Sequence, residues 1–523
     1  MLGLDMPIWG WLLIVALILF YWHGTSTYGF FKKLGIPFEM PMLPYLGNIG
    51  STFTKSIAED ELDVLKRVPG KVIGRFVGRT PTILIADASI FKQIMVQHFS
   101  KFRNRRSPFA GEETIFTMNI GTTAGDHWKH VRSILVPTFS SGKLKQMFPV
   151  IENCADKLVR HLKATEGAPF VIKDYTSSYT MDVIASTAFG LDIDARAGHP
   201  FVKHANILLG MDNSGFLDKL RKFFASAIVF TLPQSMRVWC SRYLGLGYAS
   251  ISANSVQYFE DVVNKIVADL EKDPSSQEKN LVGISSEKVV DLKKVDDSEI
   301  KRCDVTGLTW TTAGLTRGDF IANSIMFIIG GHEATATSLQ FFLYMMTLYP
   351  DIQQQLYEEI QEDVGEKNVT YEQIFKLNFL DWCLSETLRL YPPGLRIDRV
   401  ASEDVTIDEL TIPKGMQVFG LFYAMNHDPD IWPDPYKFDP TRFDPENLTE
   451  AQSNFNNPFG GGPRSCIAMR LALLEVKLVL VRLLQIFKFE KCGETTLQEE
   501  LKFEKFNIFL LTEKPLKISA VPR

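Results

Sequence analysis

The chain has 523 residues, 46% of them hydrophobic and 12% aromatic, with a net charge of −5. That length supports a large buried core, the composition excludes a disordered protein, and no strong basic field points to nucleic acid as a partner. The six cysteines, Cys154, Cys240, Cys303, Cys383, Cys466 and Cys492, are scattered without a CxxC pair, which argues against a zinc cluster or a dense disulfide framework and for a reducing compartment.

The first element is the uncharged run from Pro7 to Trp22. At about 1.5 Å per residue it lies near the short end of a membrane span and suits a thin bilayer such as the endoplasmic reticulum. Trp9, Trp11, Tyr21 and Trp22 sit near its ends, Asp5 precedes it, and Lys32 and Lys33 follow it, so the positive-inside rule places the rest of the chain in the cytosol. No basic segment precedes the run and no small-residue cleavage site follows it, which favours a retained single-pass anchor over a signal peptide. The expected division is an anchor over 1–24, a linker over 25–50 holding Pro37, Pro41 and Pro44, and one large domain over 51–523.

Val72 to Asp87 alternates apolar residues around a Gly-Arg-Thr turn and predicts a β-hairpin. Most of Ile90 to Phe259 has helical spacing, with breaks at Pro137, Gly190 and Pro233. Within it, the apolar stretch Ile207 to Leu232 reads equally as core helices or as a segment dipping into a membrane surface. Glu271 to Gly318 is polar and predicts an exposed connection. Phe320 to Tyr349 is apolar on all sides and predicts a buried helix that Pro350 ends. A further helix is expected over Phe379 to Tyr391, short strands over Val400 to Val418, a proline-rich coil over Pro429 to Pro445, and a last helix over Ile467 to Phe487. The pattern predicts one mainly α domain with a small β portion.

Two segments carry chemistry. In Phe459-Gly-Gly-Gly-Pro-Arg-Ser-Cys466-Ile-Ala468, three glycines permit tight turns and close approach to a flat ligand. The cysteine stands at the mouth of a helix, whose N–H groups stabilise a thiolate. A thiolate is the axial ligand that pushes electron density toward an O–O bond on haem iron, and Arg464 can pair with a haem propionate. In Gly330-Gly331-His332-Glu333-Ala334-Thr335, paired glycines inside a helix cost about 1 kcal/mol each relative to alanine, a cost that a close cofactor explains.

With these residues in place the chain resembles the cytochromes P450. The cysteine loop is similar to that family's FxxGxRxCxG, with Ala468 in place of the last glycine. Glu386-Thr-Leu-Arg389 and Arg442, in Pro440-Thr-Arg-Phe443, resemble the ExxR pair and the PERF segment, which lock the core behind the thiolate. Trp128 and Arg132 resemble the family's WxxxR, and Arg105 and Arg399 match further propionate contacts of vertebrate 3A-type members. The resemblance covers nearly the whole chain and extends to thromboxane synthase in the same clan.

The resemblance implies the cytochrome P450 fold and heme b (iron protoporphyrin IX) ligated by Cys466. Phe459, Gly330 and Gly331 would lie against the haem. It implies insertion of one oxygen atom from O2 into lipophilic small molecules (xenobiotics, steroids or fatty acids). Electrons would come from NADPH through NADPH-cytochrome P450 reductase, with cytochrome b5 as a further partner. Glu333 matches the acid of the family's acid–alcohol pair, which relays protons in the catalytic cycle. Ala334 stands where the alcohol belongs, and Thr335 is displaced by one residue, about 100° around the helix. A substrate hydroxyl, His332, Thr335 or water then completes the relay. Alternatively the enzyme rearranges a lipid endoperoxide and needs none, as thromboxane synthase, which also lacks this threonine, implies. A non-catalytic haem-binding sensor or carrier is the third reading.

Overall fold

A computed structural model of the chain describes residues 7–41, 43–106, 114–209, 253–272, 280–455, 457–505 and 507–523. The uncharged N-terminal run forms helix α1, Ile8–Thr25, whose apolar side chains are exposed around its whole circumference. Its length and hydropathy are sufficient to cross a membrane. Its C-terminal end is fastened to the body of the protein. His23 Nδ1 lies 2.8 Å from the Tyr45 hydroxyl, and Arg79 reaches His23 Nε2 at 3.1 Å. The proline-containing segment that follows is packed as well. Phe31 is fully buried, and a Cβ on Gly74 would come within 2.4 Å of its ring.

The hairpin forms as β1, Val72–Val77, and β2, Thr80–Ile85, turning at Gly78 in the left-handed region. Next come helices α2, Gly125–Leu135, and α3, Ile172–Phe189. Helix α4, Arg317–Leu348, is capped by Thr316 and Asp319 in a reciprocal box. It is apolar on all sides because α3 and two later helices, α5 (Asn378–Leu390) and α6 (Met469–Ile486), pack around it. Helix α5 stops before Pro392-Pro393 as the backbone restrictions of proline require. Strands β3, Arg396–Val400, and β4, Gln417–Leu421, complete a four-stranded sheet in the order β1-β2-β4-β3, with β2 and β4 parallel and the other pairs antiparallel. One large apolar cluster lies among the helices and a second between the sheet and the N-terminal segment. The fold is mainly α with a small β portion.

One expectation needs correction. The polar stretch up to Gly318 is not simply an exposed connection. Leu281–Ser286 is helical, Ile300–Arg302 pairs with Thr309–Thr311, and Leu281, Val282, Leu308, Trp310 and Leu315 are buried. These apolar residues come in groups of one or two between charged and polar ones, too few in a row to stand out from the charge. The stretch Ile207 to Leu232, beyond residue 209, and the break at Pro233 lie outside the described residues.

Candidate functional site

The cysteine loop approaches the rest of the protein through its glycines. Gly462, with φ +70°, lies so close to the Met95 carbonyl that a Cβ would sit 2.1 Å from that oxygen. Gly461 also abuts Met95, and Gly460, at φ +73°, abuts Ile397. The described contacts of these glycines are thus with the protein's own chain. The loop closes with the Cys466 N–H donating to the Phe459 carbonyl at 2.8 Å, and Phe459 packs at the edge of the helical core. Helix α6 starts three residues after the cysteine. The Cys466 thiol accepts the Ala468 N–H, while the surrounding protein raises its pKa by desolvation against the pull of Arg132 and Arg105. Cys466 is nonetheless accessible by surface area, whereas Cys154, Cys303 and Cys383 are buried. Protein is dense around Cys466, but the residue itself keeps open surface.

Four arginines from distant parts of the chain converge beside it. Arg132, on α2, donates to the Ser465 carbonyl at 2.9 Å. Arg464 stacks over the Trp128 ring at 4.4 Å and donates to the carbonyls of Gly121 and Thr123. Arg105 also reaches the Gly121 carbonyl, at 3.4 Å. Arg399, on β3, is fully buried and donates to the Asp398 carbonyl at 2.8 Å. Burial, then Arg105, pulls the Arg399 pKa down to about 9, and burial followed by Arg105, Arg399 and Arg132 pulls Arg464 down to about 8. Nε of Arg105, Nε of Arg464, and Nε and Nη2 of Arg399 are buried without a hydrogen-bond partner among the described residues. Buried cations with open donors call for anions. Two carboxylates presented together next to a thiol ligand are what haem propionates supply, so these residues fit haem.

Behind the loop, Glu386 and Arg389 share one face of α5 and pair bidentately, at 2.7 and 2.8 Å. Arg442 comes to 3.5 Å of the same carboxylate, which also accepts the Asp439 N–H. Arg389 in turn donates to the carbonyls of Asn426 and Pro435. The cluster binds α5 to the coil that leads to the cysteine loop.

Comparison with known proteins decides the family. Residues 37–520 match the family described as Cytochrome P450. The chain is 37% identical to cytochrome P450 3A2 of Rattus norvegicus over 518 residues, covering 98% of this chain and 96% of that protein. It is 36% identical to cytochrome P450 3A41 of Mus musculus over 518 residues and 37% identical to cytochrome P450 3A7 of Homo sapiens over 520, with the same coverage.

The chain belongs to the cytochrome P450 family.

Within it, the chain is 3A-like. Membership supports haem-dependent monooxygenase activity, and P450 enzymes generally take electrons from NADPH-cytochrome P450 reductase and act on lipophilic substrates.

Helix α4 carries the segment Gly330 to Thr335, and the structure separates its residues by face. Gly330 is exposed, with only the Met326 methyl near where its Cβ would be, and Ala334, one turn on, is partly exposed. Gly331 instead meets Ile184 of α3, 3.0 Å from where a Cβ would be, so helix packing accounts for it. His332 turns inward, with Nδ1 2.8 Å from the Thr180 hydroxyl, and burial lowers its pKa to about 3. Glu333 is buried in an ion pair with Lys173 of α3; Lys173 donates to the Thr337 hydroxyl, which donates to Glu333. Thr335 is buried, and its hydroxyl donates to Glu475 of α6 at 2.9 Å. Neither Glu333 nor Thr335 shares the open face of Gly330 and Ala334. Sequence reasoning missed Lys173 and Glu475, which lie 160 and 140 residues from their partners. The only signal at Glu475 was that it is the one acid in helix α6, whose other polar residues are Arg470, Lys477, Arg482 and Gln485.

Proposed function

We propose that this chain is a haem-thiolate monooxygenase of lipophilic small molecules (xenobiotics, steroids or fatty acids), anchored by α1 in the endoplasmic reticulum membrane with its body over 51–523 facing the cytosol. Cys466 would ligate the iron of heme b. Arg105, Arg132, Arg399 and Arg464, with Trp128 beneath Arg464, hold the propionates. Phe459 and Gly330 line the haem, and Glu386, Arg389 and Arg442 brace the loop. The observation that carries this reading is the convergence of buried, open-ended arginine donors beside an accessible cysteine. NADPH-cytochrome P450 reductase, and cytochrome b5 as a second partner, supply electrons.

When bound, haem supplies O2 activation and transfer of one oxygen atom to substrate. The protein's part is orientation and protons. Glu333, held in an ion pair with Lys173, is the acid of the proton path. Thr335, whose hydroxyl is committed to Glu475, acts through position rather than as the missing alcohol.

One observation favours a second reading. Ala334 presents a methyl group on the open face, and a lipid-endoperoxide isomerase needs no alcohol there. Purified full-length protein with reductase and NADPH, with catalase removing peroxide, separates the two. NADPH-dependent oxidation of a lipophilic ether probe supports the monooxygenase. Turnover of a fatty-acid endoperoxide without NADPH, and no NADPH-dependent oxidation, supports the isomerase. Haem binding without either turnover leaves a sensor or carrier.

A further inference from the structure

Most buried acids face a basic group: Glu386 faces Arg389 and Arg442, Glu333 faces Lys173, Glu61 faces Arg396, Asp60 faces Arg75, and Asp319 faces His127. Asp182 has no ion pair either, but it accepts the Ala195 N–H and lies within the pull of Lys157. No basic side chain among the described residues pairs with Glu475, which is 3% exposed on α6. Among the described residues its carboxyl accepts one hydrogen bond, from the Thr335 hydroxyl. Without a counter-ion, burial favours the neutral acid and pushes its pKa up to about 8. The backbone is held there too, since the Tyr179 hydroxyl of α3 donates to the Glu475 carbonyl at 2.8 Å.

Three helices therefore meet at this point. Helix α3 grips α4 through Ile184 on Gly331, Thr180 on His332 and Lys173 on Glu333. The polar contact of α4 with α6, which begins just after Cys466, is Thr335 with Glu475. The displaced threonine thus has a partner that no alcohol at position 334 would reach without rotating α4, because one residue corresponds to about 100° around a helix.

We propose that Glu475 is a positioning residue for oxygen activation: through Thr335 it fixes the rotation of α4 and ties the Gly330–Ala334 face to the helix that carries Cys466 at its head. Glu475 moves no proton in the reaction. It determines which side chains face the open side. This rests on the haem-thiolate reading above. Loss of the bond lets α4 turn or shift, so electrons drawn from NADPH leave more often as peroxide.

The test uses full-length holoenzyme with reductase and an alkyl aryl ether probe. Peroxide released per NADPH oxidised is measured for Glu475→Gln, Glu475→Leu, Thr335→Ser, Thr335→Val and the Glu475→Leu/Thr335→Val double variant, alongside each ferrous–carbonyl spectrum. The conservative variants Glu475→Gln and Thr335→Ser keep the bond and the wild-type ratio. Thr335→Val and Glu475→Leu each raise peroxide per NADPH about two- to tenfold, the worth of one hydrogen bond, with the thiolate spectrum intact. The double variant is no worse than either single, because the two residues act as a unit. Wild-type ratios in Thr335→Val, or single effects that multiply in the double variant, overturn the proposal; Thr335→Val carries this test by itself if Glu475→Leu does not fold. A wild-type protein without the thiolate spectrum would instead overturn the haem-thiolate reading.

Discussion

The Arg464 guanidinium lies 4.4 Å above the centre of the Trp128 ring, joining the cysteine loop to helix α2 across more than three hundred residues of sequence. The ring fixes the arginine's plane while its Nε stays buried without a hydrogen-bond partner among the described residues. A side chain held so rigidly with an open donor is prepared for an anion.

Replacing Arg464 with leucine therefore weakens haem retention. A charge-assisted hydrogen bond is worth about 1.5–3 kcal/mol, which corresponds to roughly a tenfold or greater loss of affinity. The rate of haem transfer to an excess of a haem-scavenging protein measures it. Arg464→Lys recovers only part of the loss, because an ammonium cannot stack on Trp128 as a planar guanidinium does.

Glu386→Gln leaves Arg389 and Arg442 without their shared carboxylate inside the protein. Breaking a buried pair by removing one partner costs about 3–5 kcal/mol. Denaturant unfolding of the holoenzyme shows a lower midpoint, and haem is lost before the helices melt.

The Lys173–Glu333 pair gives a kinetic prediction. Lys173→Met removes the partner of a buried acid and disturbs proton delivery, so peroxide per NADPH rises while the ferrous–carbonyl band keeps its position. Lys173→Arg retains the charge and stays close to wild type. The two ratios measured side by side check the point.

The pH dependence of stability tests the neutral state of Glu475. Its folded-state pKa is raised by burial from 4.5 to about 8. The acid's contribution is thus fully present below about pH 4.5 and is lost as pH rises through about 8. Glu475→Gln escapes that loss. Its thermal midpoint relative to wild type rises between pH 5 and pH 8 and levels off above.

The parts that the residues alone made legible are those whose partners lie close along the chain, whereas the convergence of Arg105, Arg132, Arg399 and Arg464 was legible only through the family resemblance. The Phe459-to-Cys466 offsets, the Glu386–Arg389 spacing and the uniform apolarity of Phe320 to Tyr349 each express a local geometry. Pairings such as Lys173 with Glu333 or Thr335 with Glu475 depend on how α3, α4 and α6 come together, and no period or spacing encodes them. The glycines of the cysteine loop and Gly331 show the same limit. Their small size was evident, but Met95 and Ile184 as the groups they accommodate emerge only from tertiary packing.

The central claim is sulfur ligation of haem iron by Cys466. The most direct measurement is the ferrous–carbonyl difference spectrum of the full-length protein and of Cys466→His, both supplied with haemin during expression. The wild type shows the red-shifted Soret band of a thiolate-ligated haem, and Cys466→His, if it retains haem, shows the band of an imidazole-ligated one. A thiolate-type band that persists in Cys466→His would contradict the account.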